Sequence, residues 1–242
     1  MLSSWLASNA VAQYPHAATS LKERWAWGLA QTRQGEGQNG FWMAYGIARF
    51  LDSQAYVGTV NVSALRDSSA SRQESDQPAK ELLQDVVFLF HVQGGTDTLA
   101  IRKIEVDNRP WILDREKKPV VWLGRANEEE SIDLLLEIYR QVDARDLKSS
   151  IMVGAELHSK PEVMQQLAGL LRKEAYAGSD LKLQTDVLDV ISHLPDGLGI
   201  PLLVEIARTH PNARVREEAV NYLAESDDRR AHEALKTLNR TP

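Results

Sequence analysis

The side chains able to do acid, base or nucleophilic chemistry are scattered through this chain. There are six histidines, His16, His91, His158, His193, His210 and His232. No two stand four apart and no HExxH occurs, so no helix is expected to turn two imidazoles toward one zinc ion. With no Cys at all, a thiol nucleophile, a thiolate metal site and a disulfide are excluded, and the redox compartment cannot be read from cysteine usage. Gly35-Glu36-Gly37-Gln38-Asn39-Gly40 is Gly-rich but has no Lys-Ser/Thr and precedes no expected helix, so it reads as a turn rather than a phosphate cradle. No GxSxG turn is present to raise a serine. Carboxylates cluster at Glu128 to Glu130, Asp186 with Asp189, Glu217 with Glu218, and Asp227 with Asp228. Helix first turns and solvated faces account for such clusters. No catalytic residue, metal ligand or cofactor is expected, and the chain does not read as an enzyme.

Two residue sets ask for placement. His158 and His193 fall at the expected ends of successive helices, where the helix dipole favours histidine. Trp25, Trp27, Trp42, Tyr45, Trp111 and Trp122 either fill a core or line a recognition groove, and burial of large aromatics favours the core. Trp111 is the exception, because Asn108-Arg109-Pro110-Trp111 reads as an exposed loop.

The elements that must hold these residues change character along the chain. Ser20-Leu21-Lys22-Glu23 has capping-box spacing and predicts a helix over about 20–33. Phe41 to Phe50 fits both periods, and its Gly-rich entry and Gly46 favour a strand, paired with a strand over Ala55 to Val62. Arg66 to Lys80 is polar and Ser-rich and reads as a loop, with a short helix at Glu81 to Gln84. Asp85 to Val92 and Leu99 to Val106 flank Gly94-Gly95-Thr96-Asp97 and predict a hairpin. A loop over Asp107 to Lys118 leads to a last strand at Pro119 to Leu123. The expectation is an antiparallel sheet with one helix against it.

From Asn127 onward the apolar residues lie on helical stripes, beginning with Asn127 as cap and Glu128 to Glu130 as first turn. Leu147-Lys148, Leu181-Lys182 and Val215-Arg216 recur at intervals of 34 residues, which predicts a helical solenoid. First helices are expected over 146–158, 180–194 and 214–225, and second helices over 161–174, 199–209 and 228–239. Such units hide their apolar faces only against neighbours, so about three must stack.

Charge divides the same way. Residues 1–126 carry 14 basic and 13 acidic side chains, whereas 127–242 carry 14 and 21, a net charge of −7 in the second part. That balance argues against nucleic acid and polybasic membrane contact. No apolar run is long enough to span a bilayer. Ala10-Val11-Ala12 has the small-residue form of a signal-peptidase site, after a stretch too short and without a basic start. It therefore stands either as the end of a secretory signal, which would make the protein periplasmic or secreted, or as a small-residue terminus, which would leave it cytoplasmic.

Val215-Arg216-Glu217-Glu218-Ala219-Val220-Asn221-Tyr222-Leu223 resembles the inner-helix signature of HEAT repeats, the short bacterial kind also found in phycobilin-lyase-like proteins. The resemblance covers about 146–242. Gly40 to Ile47, Asp85 to Phe90 and Val121 to Gly124 resemble the amino-terminal part of a group of bacterial HEAT-repeat proteins that are often exported. Asp186 and Asp189 depart from the small or apolar residues expected in the middle unit. The organisation expected is a flexible 1–19, a sheet domain over 20–125 and a HEAT-like solenoid over 126–242, an α+β chain.

A solenoid presents a curved surface, and an acidic one suits a basic protein or peptide partner. Lys148, Glu156, Lys182, Asp186, Asp189, Arg216 and Glu217 are the candidate binding residues on it. The repeat resemblance implies a bilin lyase as an alternative. A HEAT-like nucleic-acid-binding protein is a further alternative, disfavoured by the acidic second half.

Overall fold

The computed structural model describes residues 10–13, 19–32, 40–52, 81–94, 99–108, 119–178 and 180–238. The chain divides into two compact units, Met1–Gly154 and Ala155–Pro242. That division falls later than the change of composition after residue 126.

The first unit holds β1 (Ala10–Gln13), α1 (Leu21–Thr32), β2 (Phe41–Asp52), β3 (Glu81–Gly94), β4 (Leu99–Asp107), β5 (Val120–Ala126), α2 (Glu128–Gln141) and most of α3 (Arg145–Ala155). The strands form one sheet in the order β1-β5-β2-β3-β4. β2, β3 and β4 are antiparallel neighbours, but β5 runs parallel to both β1 and β2. The sheet is therefore mixed, and the expectation of an antiparallel sheet is corrected. The physical reason lies in the connections: two antiparallel steps leave β4 running in the direction of β2, and the chain between β4 and β5, residues 108–119, is long enough for the crossover that a parallel partner of β2 requires.

β2 is buried on both faces from Phe41 to Ile47. A strand covered on both sides reads as a continuous apolar run, which is why this segment fitted a helical stripe as well as a strand. The expected short helix at Glu81 to Gln84 is also corrected. Those residues open β3, with Leu82 opposite Leu51 and Leu83 opposite Phe50, so the ladder prevails over local preference. The expected strand at Ala55 to Val62, the loop at Arg66 to Lys80, the turn residues Gly95 to Asp97, Gly35 to Asn39, and Trp111 lie outside the described residues.

One sheet face packs against the helices. Tyr45 stacks on Phe88 with ring centroids 5.0 Å apart, and its hydroxyl meets Ser131 Oγ of α2 at 2.9 Å. Trp25 of α1 sets its edge against Phe90 at 4.9 Å. α1 lies close to the sheet at Gly28, where a Cβ would come within 2.7 Å of Met43 Cε. The opposite face carries an apolar cluster of Trp42, Ala44, Val87, Leu89, Val120 and Trp122. Each large side chain buried in these layers contributes about 1.5 to 3 kcal/mol. Trp42, Tyr45 and Trp122 thus serve the core, as their size suggested.

A buried arginine ties α1 to the strand-to-helix turn. Gly124 has φ +87°, a conformation that favours glycine, and it kinks the end of β5. Arg24 Nη1 donates to the carbonyls of Leu123 and Arg125 across that kink, both at 2.7 Å. Glu130 completes the joint: it forms the capping box with Asn127, accepts from Leu21 N at 3.1 Å, and meets Arg24 Nη2 at 3.4 Å. The cap expected at Asn127 is therefore present.

The second unit contains α4 (Pro161–Ala175), α5 (Leu181–Ser192), a 3-10 turn (Pro195–Gly197), α6 (Ile200–Thr209), α7 (Ala213–Glu225) and α8 (Arg229–Leu238). Pro161 sits in the first turn of α4 and Pro201 in that of α6, where a missing N–H costs nothing. Asp180 and Asn212 cap α5 and α7 through their side chains. Side-chain bonds link helices that lie 33 or 34 residues apart in the chain. Arg172 reaches Glu205 at 2.7 Å and Tyr176 reaches Thr209 at 2.7 Å, each 33 residues on. Arg230 Nη2 donates to the Asp196 carbonyl at 2.7 Å, 34 residues back.

Candidate functional site

α5 gathers the polar residues that the spacing singled out. Lys182, Asp186, Asp189 and His193 recur every three or four residues along it, which puts them on one face. Lys182 Nζ meets Asp186 Oδ1 at 2.6 Å. Asp189 Oδ1 lies 3.8 Å from His193 Nδ1 and accepts from the Tyr222 hydroxyl of α7 at 3.5 Å. The Asp186 and Asp189 side chains keep 21% and 32% of their surface exposed, so a partner can reach them. α5 and α7 pack side by side, which makes this a face of two helices.

The other candidates have different places. Lys148 belongs to the first unit, where its ammonium stands 4.9 Å from the centre of the Tyr139 ring. Glu156 follows the end of α3 and is half-buried. Arg216 is engaged in structure: Nη1 donates to the His210 carbonyl at 2.6 Å and the Pro211 carbonyl at 3.0 Å, closing the turn from α6 to α7. Glu217 is exposed on α7. Lys182, Asp186 and Asp189 are thus brought together, whereas Arg216 serves the turn.

Ser192, His193 and Asp189 stand close enough to invite comparison with a hydrolytic triad, and their geometry does not match one. Ser192 Oγ and the Asp189 backbone carbonyl both meet His193 Nδ1, at 3.0 and 2.7 Å. A triad needs the serine and the carboxylate on opposite ring nitrogens. The Ser192 hydroxyl also donates to the Asp189 carbonyl, at 2.7 Å, which leaves it oriented toward the helix backbone. No group of three His, Cys, Asp or Glu side chains that could hold a metal ion occurs among the described residues.

No family model and no curated protein matches the chain.

Three of the histidines, His158, His193 and His210, lie at helix ends. His158 Nδ1 meets the Ala155 carbonyl at 2.9 Å, and His193 makes the equivalent contact with Asp189. His210 does more. Asn212 N donates to its Nδ1 at 3.1 Å, so the ring's hydrogen is on Nε2, which donates to the Ala175 carbonyl at 2.9 Å. The ring is buried and links the ends of α4 and α6.

Tyr222 is the residue of this face that spacing had not marked for function. Its position 33 residues after Asp189 is close to one repeat, so aligning the units would have set the two side by side. Among the described residues no helix is long and apolar enough to cross a membrane.

Proposed function

We propose that this chain is a non-catalytic interaction protein that holds a basic protein or peptide on the α5 and α7 face of its helical unit. The helix pairs stack as short HEAT-like repeats in this reading, supported by side-chain bonds that recur at 33 and 34 residues. The observation that carries the binding role is the accessible pair Asp186 and Asp189 within one turn of α5, joined to α7 through Tyr222. Lys182 pairs with Asp186 within the helix, and a basic partner complements the acidic balance of the second part of the chain. Half-buried surface carboxylates of this kind steer association and select sign more than they add affinity.

The experiment is affinity capture from the native proteome with the full chain and with Asp186→Lys/Asp189→Lys. A basic partner retained by the wild type and lost by the double variant supports the role. Equal recovery by both, with circular dichroism showing both folded, contradicts it.

A further inference from the structure

Where α5 and α7 end, they border a cavity of about 140 Å³ with the 3-10 turn, the first turn of α6 and Asp228 just ahead of α8. Its buried wall is apolar, from Leu194, Leu203 and Leu223, each at most 4% exposed. Its half-buried wall is polar, from Ser192, Tyr222, Ser226 and Asp228. A cavity of roughly 150 Å³ accommodates a benzene-sized group, so this one takes a single side chain rather than a chain segment. An apolar floor under a polar rim suits a side chain with an aliphatic stem and a polar head.

The charges near the rim decide the sign of that head. Two arginines stand beside Asp228: Arg230 holds both of its oxygens through Nε and Nη2 and donates to the Asp196 carbonyl, and Arg229 is exposed. Glu225 and Asp227 flank Ser226 in the chain and both are exposed, so with Asp228 three carboxylates stand against the two arginines. Ser226 Oγ accepts from Asp228 N at 3.2 Å, and as a hydroxyl it retains further hydrogen-bonding capacity. We propose that this cavity is a socket for a lysine side chain of the partner, a reading that rests on the basic partner proposed above. The stem lies on Leu194, Leu203 and Leu223, and the ammonium stands at the rim among the Ser192, Tyr222 and Ser226 hydroxyls. A compact ammonium donates in three directions, which suits hydroxyls spread around an opening better than a planar guanidinium does.

The probe is Nα-acetyl-lysine N-methylamide, titrated into the ¹⁵N-labelled full chain and followed by amide chemical shifts. The norleucine and glutamate counterparts serve as controls. Saturable shifts confined to residues 192–200 and 222–228, weaker with norleucine and absent with glutamate, are expected. Glu225→Gln/Asp227→Asn changes two exposed side chains outside the cavity wall and is expected to weaken lysine binding by about twofold to fivefold. Absence of saturable shifts, or norleucine binding as well as lysine, overturns the socket. Loss of partner capture by Asp186→Lys/Asp189→Lys is a separate result. If the lysine probe fails while that capture behaves as expected, only the socket falls, and if the probe binds while capture is indifferent to charge, the wider reading falls.

Discussion

The Tyr222 hydroxyl of α7 donates to Asp189 Oδ1 of α5 at 3.5 Å, across 33 residues of sequence. It joins α5 and α7 through the polar side chain that broke the expected apolar pattern. Asp189 is therefore part of a contact between these two helices, on the same face as the Lys182 and Asp186 pair.

His210 is expected to be the most sensitive polar position of the helical unit. Replacing it with Phe removes the donor to the Ala175 carbonyl and the acceptor for Asn212 N. Leaving buried polar groups unsatisfied costs about 1 to 3 kcal/mol each. Urea unfolding should show a free energy lower by about 1 to 3 kcal/mol, seen as a lower midpoint at unchanged slope, and an unchanged midpoint would show that water replaces both bonds.

Arg24 is the corresponding position in the first unit. Arg24→Met keeps the stem but abandons the Leu123 and Arg125 carbonyls and the Glu130 carboxylate, at a cost of about 1 to 3 kcal/mol. Arg24→Lys should recover only part of this, because one ammonium cannot reproduce the guanidinium fork. Thermal unfolding of the two variants checks the order.

Much of the architecture was legible in advance where local chemistry decides it. The Ser20 and Glu23 pair announced α1, the Asn127 cap announced α2, and Asp85 to Val92 with Leu99 to Val106 announced the hairpin. The placement of β5 was not legible, because nothing in Val120 to Leu123 tells a strand whether its neighbour runs parallel. That depends on the connection from β4. β1 was not legible either, because Ala10–Gln13 read as the end of a secretory signal or as a flexible small-residue terminus and instead forms a strand beside β5. The face around Asp186 and Asp189 was marked by charge, whereas Tyr222 needed the repeat alignment to be seen beside it.

Tyr45 predicts an alkaline limit to stability. Burial pushes its phenol well above the ordinary value of 10.0, and the bond to Ser131 only partly opposes this. The fold thus favours the neutral form. Its contribution is complete below about pH 10, where the unfolded chain is also neutral, and is lost progressively as the pH rises above it. Tyr45→Phe should lose about 0.5 to 1.5 kcal/mol of hydrogen bonding near neutrality and flatten the alkaline loss. Denaturant curves from pH 8 to about 11 test both signs.

Asp228 predicts the opposite dependence at the acid end. Hydrogen bonds from Arg230 hold its carboxyl down at about 2, from an ordinary 3.8. Whatever the clasp contributes is present above the unfolded value and is lost as the pH falls toward 2. Arg230→Gln should move the Asp228 carboxyl back up toward 3.8, which a carboxyl ¹³C titration reads directly. A titration unchanged by the substitution would show that Arg230 is not the cause.

The central claim is that a basic partner sits on the α5 and α7 face, and site-specific photocrosslinking in the native cell tests it most directly. Glu217→p-benzoylphenylalanine places the probe on exposed α7, and Lys22→p-benzoylphenylalanine places a control on exposed α1 of the first unit. The account predicts a crosslinked protein from position 217, joined through a Lys- or Arg-rich segment, absent from position 22 and lost when Asp186→Lys/Asp189→Lys is added. Crosslinks that come equally from both positions, or persist with the charges reversed, would contradict it.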